Sequence, residues 1–439
     1  MGQWMKARRR LMPAVALAGL LACLATGLAA CGEDDEGAPG NAKLDLTIGD
    51  SVPLSGELSD FGAAGDKAAK IAVDDVIDPA IEDADADNEV DLLTEDNESD
   101  PKGAVEAARR MVDDGASCIT GAWGPAETLS TFQSVSSEKG VLQITPATTS
   151  DELTGLDDPE HLLARTAPPA SLQGPSLADY IEQELGGAED VTVNVGARND
   201  AYGTAIAGAF TTAWEEKGGT VGEEIIYDSE QPDYESEADK ITTGKPDAFV
   251  IIDFPETYGK LAERLVETKK FDSTKTFATD ALAASDLPQT AGEKATEGLR
   301  GIAPGAPDEG RLAKAFQELW KRSEIEPEVG RTTFDAQNFD AVILCYLSAV
   351  AAGSTNGVEM ASELAEITAP PGEPFTWEQL PEAIKALQEG TDIDYEGASG
   401  QIDMDEGGDP TAGVYAVYRY SGGALDIFDE VPVAPKVGE

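Results

Sequence analysis

Short apolar runs alternate with amphipathic stretches along most of this chain, and that rhythm fixes the class of fold. Runs at 44–54, 89–93, 117–120 and 141–144 read as strands. Between them, 60–77, 102–112 and 126–138 repeat apolar residues three and four apart, the spacing of one helix face. A second series follows, with helices at 172–185, 201–217, 235–241 and 256–268 and strands at 191–195, 221–227, 248–252 and 276–278. Strands that each lead into a covering helix build parallel α/β sheets buried on both faces. Two series of similar size predict two lobes. The chain crosses between them at Arg165-Thr166-Ala167-Pro168-Pro169, where proline stops any helix, and again at Gly298-Leu299-Arg300-Gly301. Further helices are predicted at 308–321 and 336–352, the second apolar all round and therefore buried. Near the end, 400–405, 413–420 and 424–428 read as antiparallel strands around the turn Gly407-Gly408-Asp409-Pro410.

The N-terminus has a different logic. Lys6, Arg8, Arg9 and Arg10 precede an apolar stretch at 11–24, and small residues then lead to Leu28-Ala29-Ala30-Cys31. Basic, apolar and small-residue regions in that order make a secretory signal. A cysteine directly after Leu-Ala-Ala resembles the lipobox of bacterial lipoproteins. It implies a signal peptide at 1–30, acylation (palmitate) at Cys31, and an extracytoplasmic chain lipid-anchored to the cell membrane. Residues 31–43 are polar and aperiodic, a flexible tether. The remaining cysteines, Cys118 and Cys345, reach a compartment where a disulfide persists; both also lie in apolar runs that suit buried thiols.

Charge narrows the function. The chain holds 84 Asp and Glu against 31 Lys and Arg, a formal net charge of −53. Such a surface repels phosphate backbones and argues against nucleic acid as a partner. The one histidine, His161, sits in a turn after Asp157-Asp158-Pro159-Glu160, so catalysis or metal binding by paired imidazoles is not expected.

Several segments in register resemble the periplasmic binding proteins of branched-chain amino-acid ABC transporters. They are Ile48-Gly49-Asp50-Ser51-Val52-Pro53-Leu54-Ser55-Gly56 with Phe61-Gly62, and Gly140-Val141-Leu142-Gln143-Ile144-Thr145-Pro146-Ala147-Thr148-Thr149 with Leu153-Thr154. Arg165-Thr166-Ala167, Gln173-Gly174-Pro175, Asn199-Asp200-Ala201-Tyr202-Gly203, Phe334-Asp335-Ala336 and Gly400-Gln401-Ile402-Asp403-Met404-Asp405 follow in the same order. The resemblance implies a type I periplasmic binding fold: two Rossmann-like lobes, a three-crossing hinge and a ligand cleft between them. On that pattern lobe 1 takes 44–165 and 300–411, and lobe 2 takes 166–299 and 412–432.

The resemblance also implies a site. Ala147, Thr148 and Thr149 fall where the family binds a ligand carboxylate, although Thr149-Ser150-Asp151-Glu152 equally fits a helix-capping box. Tyr202 and Phe254 match cleft aromatics; Phe254 also suits a hydrophobic staple. Asp280 takes the place of the acidic partner of the ligand ammonium, or caps a helix. The loop Gly121-Ala122-Trp123-Gly124-Pro125-Ala126-Glu127-Thr128 departs from the family's run of serines. Ala126 stands nearest the missing hydroxyl, while Trp123 and Glu127 enter the region. That departure admits an aromatic-stacked or cationic ligand, an amide, urea or a polyamine-like compound, besides an amino acid. The implied role is the solute-binding component of an ABC importer, a monomer that uses no cofactor or metal and delivers its ligand to permease subunits without chemistry. A ligand-sensing ectodomain is the alternative; a surface hydrolase lacks a Gly-x-Ser-x-Gly elbow.

Overall fold

The computed structural model describes residues 43–305, 310–411 and 413–432. The predicted signal, Cys31 and nearly all of the tether lie outside the described residues. Among the described residues no single helix is long and apolar enough to cross a membrane.

The first lobe is built on a five-stranded sheet. Its strands are β1 (Leu44–Val52), β2 (Asn88–Asp96), β3 (Cys118–Thr120), β4 (Leu142–Thr145) and β5 (Leu163–Arg165), in the order β2-β1-β3-β4-β5. All its pairings are parallel. The second lobe carries β6 (Thr192–Arg198), β7 (Thr220–Tyr227), β8 (Ala248–Ile252), β9 (Thr276–Ala278) and β10 (Arg300–Pro304). A small third sheet holds β11 (Glu373–Thr376), β12 (Ile393–Gly397) and β13 (Gly400–Gln401). The last strands, β14 (Val414–Ser421) and β15 (Ala424–Pro432), return to the second lobe and complete a seven-stranded sheet, β15-β14-β10-β9-β8-β6-β7.

Two expectations change. The stretch 400–405 is not a full strand: it contributes only β13 and an isolated bridge between Met404 and Pro410. The division expected at 299/300 also moves, because β10 pairs with β9 on one side and β14 on the other, and the sheet continues through Pro304. Gly301, expected at a crossing, is a packing glycine inside β10, since a β-carbon there would stand 2.1 Å from the Ala278 carbonyl oxygen and 2.7 Å from the Tyr418 ring.

The first lobe closes around the helix Asp335–Ala352, which is buried from Asp335 through Val350. Most of its buried polar side chains find partners, as buried polar groups usually do, although Asn338 Oδ1 and Ser348 Oγ have none among the described residues. Asp340 accepts hydrogen bonds from Tyr395 Oη (2.9 Å), the Ala398 and Ser399 amides (2.8 Å each) and Ser399 Oγ (2.6 Å). Asn338 Nδ2 donates to Asp50 Oδ1 at 3.0 Å and to the Gly65 carbonyl at 3.1 Å. Cys118 on β3 and Cys345 on this helix form a disulfide with their Cα atoms 6.0 Å apart. It joins the sheet to the helix across 227 residues of sequence.

The crossings are tied together by a guanidinium. Arg165, fully buried at the end of β5, gives Nε to Asp409 Oδ1 at 2.6 Å and its main-chain N–H to the Gly408 carbonyl at 3.0 Å. Nη2 donates to Thr154 Oγ1 at 2.8 Å, and Nη1 reaches the carbonyls of Ser150 (2.8 Å) and Thr148 (3.2 Å). Thr154 in turn donates to the other oxygen of Asp409. One side chain therefore fixes the first crossing, the loop after β4 and the segment that leads into β14.

A crosslink closing so long a loop removes much of the unfolded chain's freedom, with a ceiling of about 5 kcal/mol in the chain-entropy picture. Replacing Cys118 and Cys345 together with Ser should lower the midpoint of thermal unfolding by several degrees, and dithiothreitol should do the same to the unaltered protein. Circular dichroism melts read both effects; superimposable melts in all three samples would show that the crosslink adds nothing.

Candidate functional site

In open parallel sheets the loops past the strands' C-terminal ends form the crevice. Here the loops of both lobes meet at one cavity. The first lobe brings Leu58 and Phe61 from beyond β1, Trp123 and Pro125 from beyond β3, and Ala147 from beyond β4. The second brings Tyr202 from beyond β6, Phe254 from beyond β8, and Asp280 with Ala281 from beyond β9. Phe334, the residue before the buried helix, completes the lining. Empty space in the cavity, its open mouth included, amounts to about 330 Å³, and the centre of a water molecule can occupy about 20 Å³ of it. That is room for about one water molecule, so a larger solute enters only when the lobes part.

Aromatic rings supply five of the ten lining residues. Phe334 meets Phe61 and Trp123 edge to face, each with ring centroids 6.2 Å apart. Tyr202 and Phe254 lie 4.9 Å apart on the opposite lobe. The Arg198 guanidinium stacks on Phe254 at 3.7 Å from the ring centre. The indole ring of Trp123 lies against the helix Ser59–Lys70, where a β-carbon on Gly65 would come within 2.4 Å of it.

Asp280 is the carboxylate of this cavity and is almost wholly buried. Its Oδ1 accepts from Tyr202 Oη at 2.9 Å and from Gln173 Nε2. Tyr202 Oη also bonds Thr279 Oγ1 at 2.7 Å. Burial raises the Asp280 carboxyl to about 6, against the lowering effect of the bonds from Gln173 and Tyr202. Burial likewise lifts the Tyr202 hydroxyl well above its ordinary value, and the Asp280 charge adds to the rise. Asp280 opens a three-residue helical turn, but its side chain is spent on Gln173 and Tyr202; the N-cap position belongs to Thr279. Three buried polar atoms nearby have no hydrogen-bond partner among the described residues: Trp123 Nε1, Thr149 Oγ1 and Gln173 Oε1.

The expected site residues divide into two groups. Trp123, Ala147, Tyr202, Phe254 and Asp280 come together around the cavity. Thr148 does not offer its hydroxyl: that oxygen bonds Thr128 Oγ1 at 2.7 Å, Thr145 Oγ1 at 3.0 Å and the Trp123 carbonyl at 3.0 Å, so it holds two loops together. Thr149 is fully buried with its hydroxyl unpaired, and turns rather than a helix follow it, which removes the capping reading. Ala126 is exposed, because Pro125 is the residue of that helix that faces the cavity. Glu127 folds back over Gly124, where a β-carbon would meet its Oε2 at 2.2 Å. Burial pushes its carboxyl above the usual range; the Glu57 charge adds to this and Arg198 opposes it.

Sequence reasoning missed two features. Phe61 and Phe334 stand inside segments that carry the resemblance, but no site role is expected for them there, and both line the cavity. The ion pair of Glu57 and Arg198 had no sequence signal, since 141 residues separate the partners. Arg198 Nη1 and Nη2 donate to the two Glu57 oxygens at 2.9 and 3.2 Å, and Thr257 Oγ1 donates to Glu57 at 3.0 Å. Glu57 belongs to the first lobe, Arg198 and Thr257 to the second, so this pair fastens one lobe to the other beside the cavity.

The comparisons with known proteins agree with this architecture. A family model described as periplasmic binding protein matches residues 45–424. A protein of Brucella melitensis named Leu/Ile/Val-binding protein homolog 3 is 35% identical over 195 residues, 44% of this chain; the chain spans about half, 49%, of that relative's length. A Halobacterium salinarum protein named as the substrate-binding protein BasB of a chemotactic signal transduction system is 23% identical over 84% of this chain and 85% of its own. The crystal structure of a leucine-binding protein, LivK of Thermotoga maritima, superposes with a TM-score of 0.71 at 22% identity, covering 88% of this chain and 98% of that one.

Buried carboxyls give the fold a pH dependence. Asp280 stands at about 6, and burial raises Asp50 to about 7 despite bonds from Asn338 and Thr120. Both exceed the ordinary carboxylate value, so between about pH 4 and 7 the folded chain binds more protons than the unfolded one. Their contribution to stability is full below pH 4 and is lost as pH rises through the folded values. The thermal midpoint should therefore fall from pH 5 to pH 8, and Asp50→Asn, which keeps an acceptor for Asn338 and Thr120, should flatten the slope. A midpoint that climbs over this interval would contradict the assignment.

Proposed function

The chain belongs to the periplasmic binding protein family, and on that premise we propose that it captures a small polar solute between its lobes and delivers it to the permease of an ABC importer. The observation that carries the reading is the cavity itself. Its walls come from the strand ends of both sheets, so a solute inside touches both lobes at once. Only a ligand that binds the closed state better than the open one can shift the population toward closure, and a site shared between lobes supplies that difference. Hinge closure around a ligand is the ordinary motion of two lobes joined in this way.

The solute is an amino acid, an amide or a related small compound, and no chemical conversion is part of the cycle. Asp280 is held by Gln173 and Tyr202 as a fixed acceptor, an arrangement suited to pairing with a cation. The N-terminal pattern supports a mature protein tethered through a lipid on Cys31 at the outer face of the cytoplasmic membrane. From there a monomer reaches the permease.

A thermal-shift screen against amino acids, amides, urea and polyamines tests the reading. A true ligand at a hundred times its dissociation constant adds about 2.7 kcal/mol of stability, a shift of several degrees. With the ligand so found, Asp280→Ala and Tyr202→Ala should each weaken binding at least tenfold, about 1.4 kcal/mol, in variants that still melt cooperatively. Calorimetry giving the same affinity for both variants as for the parent would move the site elsewhere.

A further inference from the structure

The walls of the cavity say more about the solute than its size does; the argument rests on the solute-capture reading above. A primary ammonium carries three N–H donors and needs acceptors aimed at them. Beside this cavity the unpaired acceptors are Gln173 Oε1 and Thr149 Oγ1, neither of them charged. Oδ1 of Asp280 is taken by Gln173 and Tyr202, and the Tyr202 hydroxyl is shared with Thr279. The opposite demand, donors for an anion, is met no better at the start of the helix Pro125–Thr131. The residue presented there is Pro125, whose nitrogen has no hydrogen.

Five aromatic side chains, Phe61, Trp123, Tyr202, Phe254 and Phe334, line the same cavity as one buried carboxylate. A methylated ammonium ion has the matching requirements. It has few or no N–H groups to satisfy, and ring faces together with a counter-charge stabilise it, most strongly when water is excluded. We propose that the solute recognised here carries a methylated ammonium head, held against Asp280 within these five rings. The Trp123 Nε1–H, buried and unpartnered, donates to an oxygen on the rest of the solute, a carboxylate or a hydroxyl.

The wider field of the protein favours the same sign of ligand. The formal charge is −53. Asp60, beside Phe61 in the chain, feels the charge of Asp286 from the other lobe, and Glu127 lies close enough to sense Glu57 and Arg198. A cleft bordered by one sign of charge raises the local concentration of the opposite ion. Arg198, the cation beside these rings, stacks on Phe254 and is paired with Glu57 and Asp200, which offset its charge.

Isothermal titration of the unaltered protein with glycine betaine, choline and tetramethylammonium, beside leucine, glycine and benzoate, tests this. Glycine betaine and choline should bind at least tenfold more tightly than leucine. Tetramethylammonium, which has no oxygen for Trp123, should bind more weakly than choline. Asp280→Asn should weaken choline at least tenfold, and Trp123→Phe, which keeps a ring, should narrow the gap between choline and tetramethylammonium. Leucine, glycine or benzoate binding as tightly as the methylated compounds overturns the inference while leaving solute capture in place. Heats absent for all six also overturn it, and the wider thermal-shift screen then decides separately whether the cleft takes a solute at all. Equal affinity for choline and tetramethylammonium removes Trp123 Nε1 from the account.

Discussion

A single buried guanidinium holds the working parts of this protein in register. Arg165 sits where the chain leaves the first sheet, with no exposure to solvent. Removing an arginine from water costs several kcal/mol unless its donors and its charge are answered. Here Asp409 answers the charge, and the Thr148 and Ser150 carbonyls and Thr154 take the other donors. Those partners come from the loop after β4 and from the last crossing. The same bonds that make the arginine tolerable therefore set the direction of the loop that carries Ala147, Thr148 and Thr149.

The scaffold follows from that anchoring. Asp409 lies in the segment that leaves the third sheet and feeds β14, so the final pair of strands is delivered to the second lobe from a fixed point. Lobe movement then has to occur around these bonds. Thr148 belongs to the same framework, since its hydroxyl joins the loops after β3 and β4. A residue placed by resemblance at the ligand thus also braces the residues on either side of it.

Periodicity made the two α/β series legible, because short apolar strands and one-faced helices leave different spacings in a sequence. Helices such as Glu235–Ile241 and strands such as Ala248–Ile252 fall where the pattern put them. The segment 353–399 carried no expectation. β11 begins with exposed Glu373 and Pro374, and its partner β12 alternates buried with half-buried positions over five residues, too short a run to stand out. β10 was hidden by Gly298 and Gly301, which look like turn residues although the second is needed for close packing. The site was legible where polar or aromatic residues followed a strand end, as with Tyr202, Phe254 and Asp280. Pro125 in place of Ala126, and the rings of Phe61 and Phe334, depended on which way a helix turn faces. The link between Glu57 and Arg198 depended on where the two lobes come to rest, and nothing local encodes that.

That link has a consequence for how a guest is received. Glu57 of the first lobe and Arg198 of the second grip each other beside the cavity, so any parting of the lobes has to break that grip. Whatever enters must first pry this grip apart, and the affinity measured for it is the remainder after that work. Glu57 is about a third exposed, so dissolved ions reach the grip and loosen it. The ease with which the clamp parts its lobes is then set in part by the brine around it.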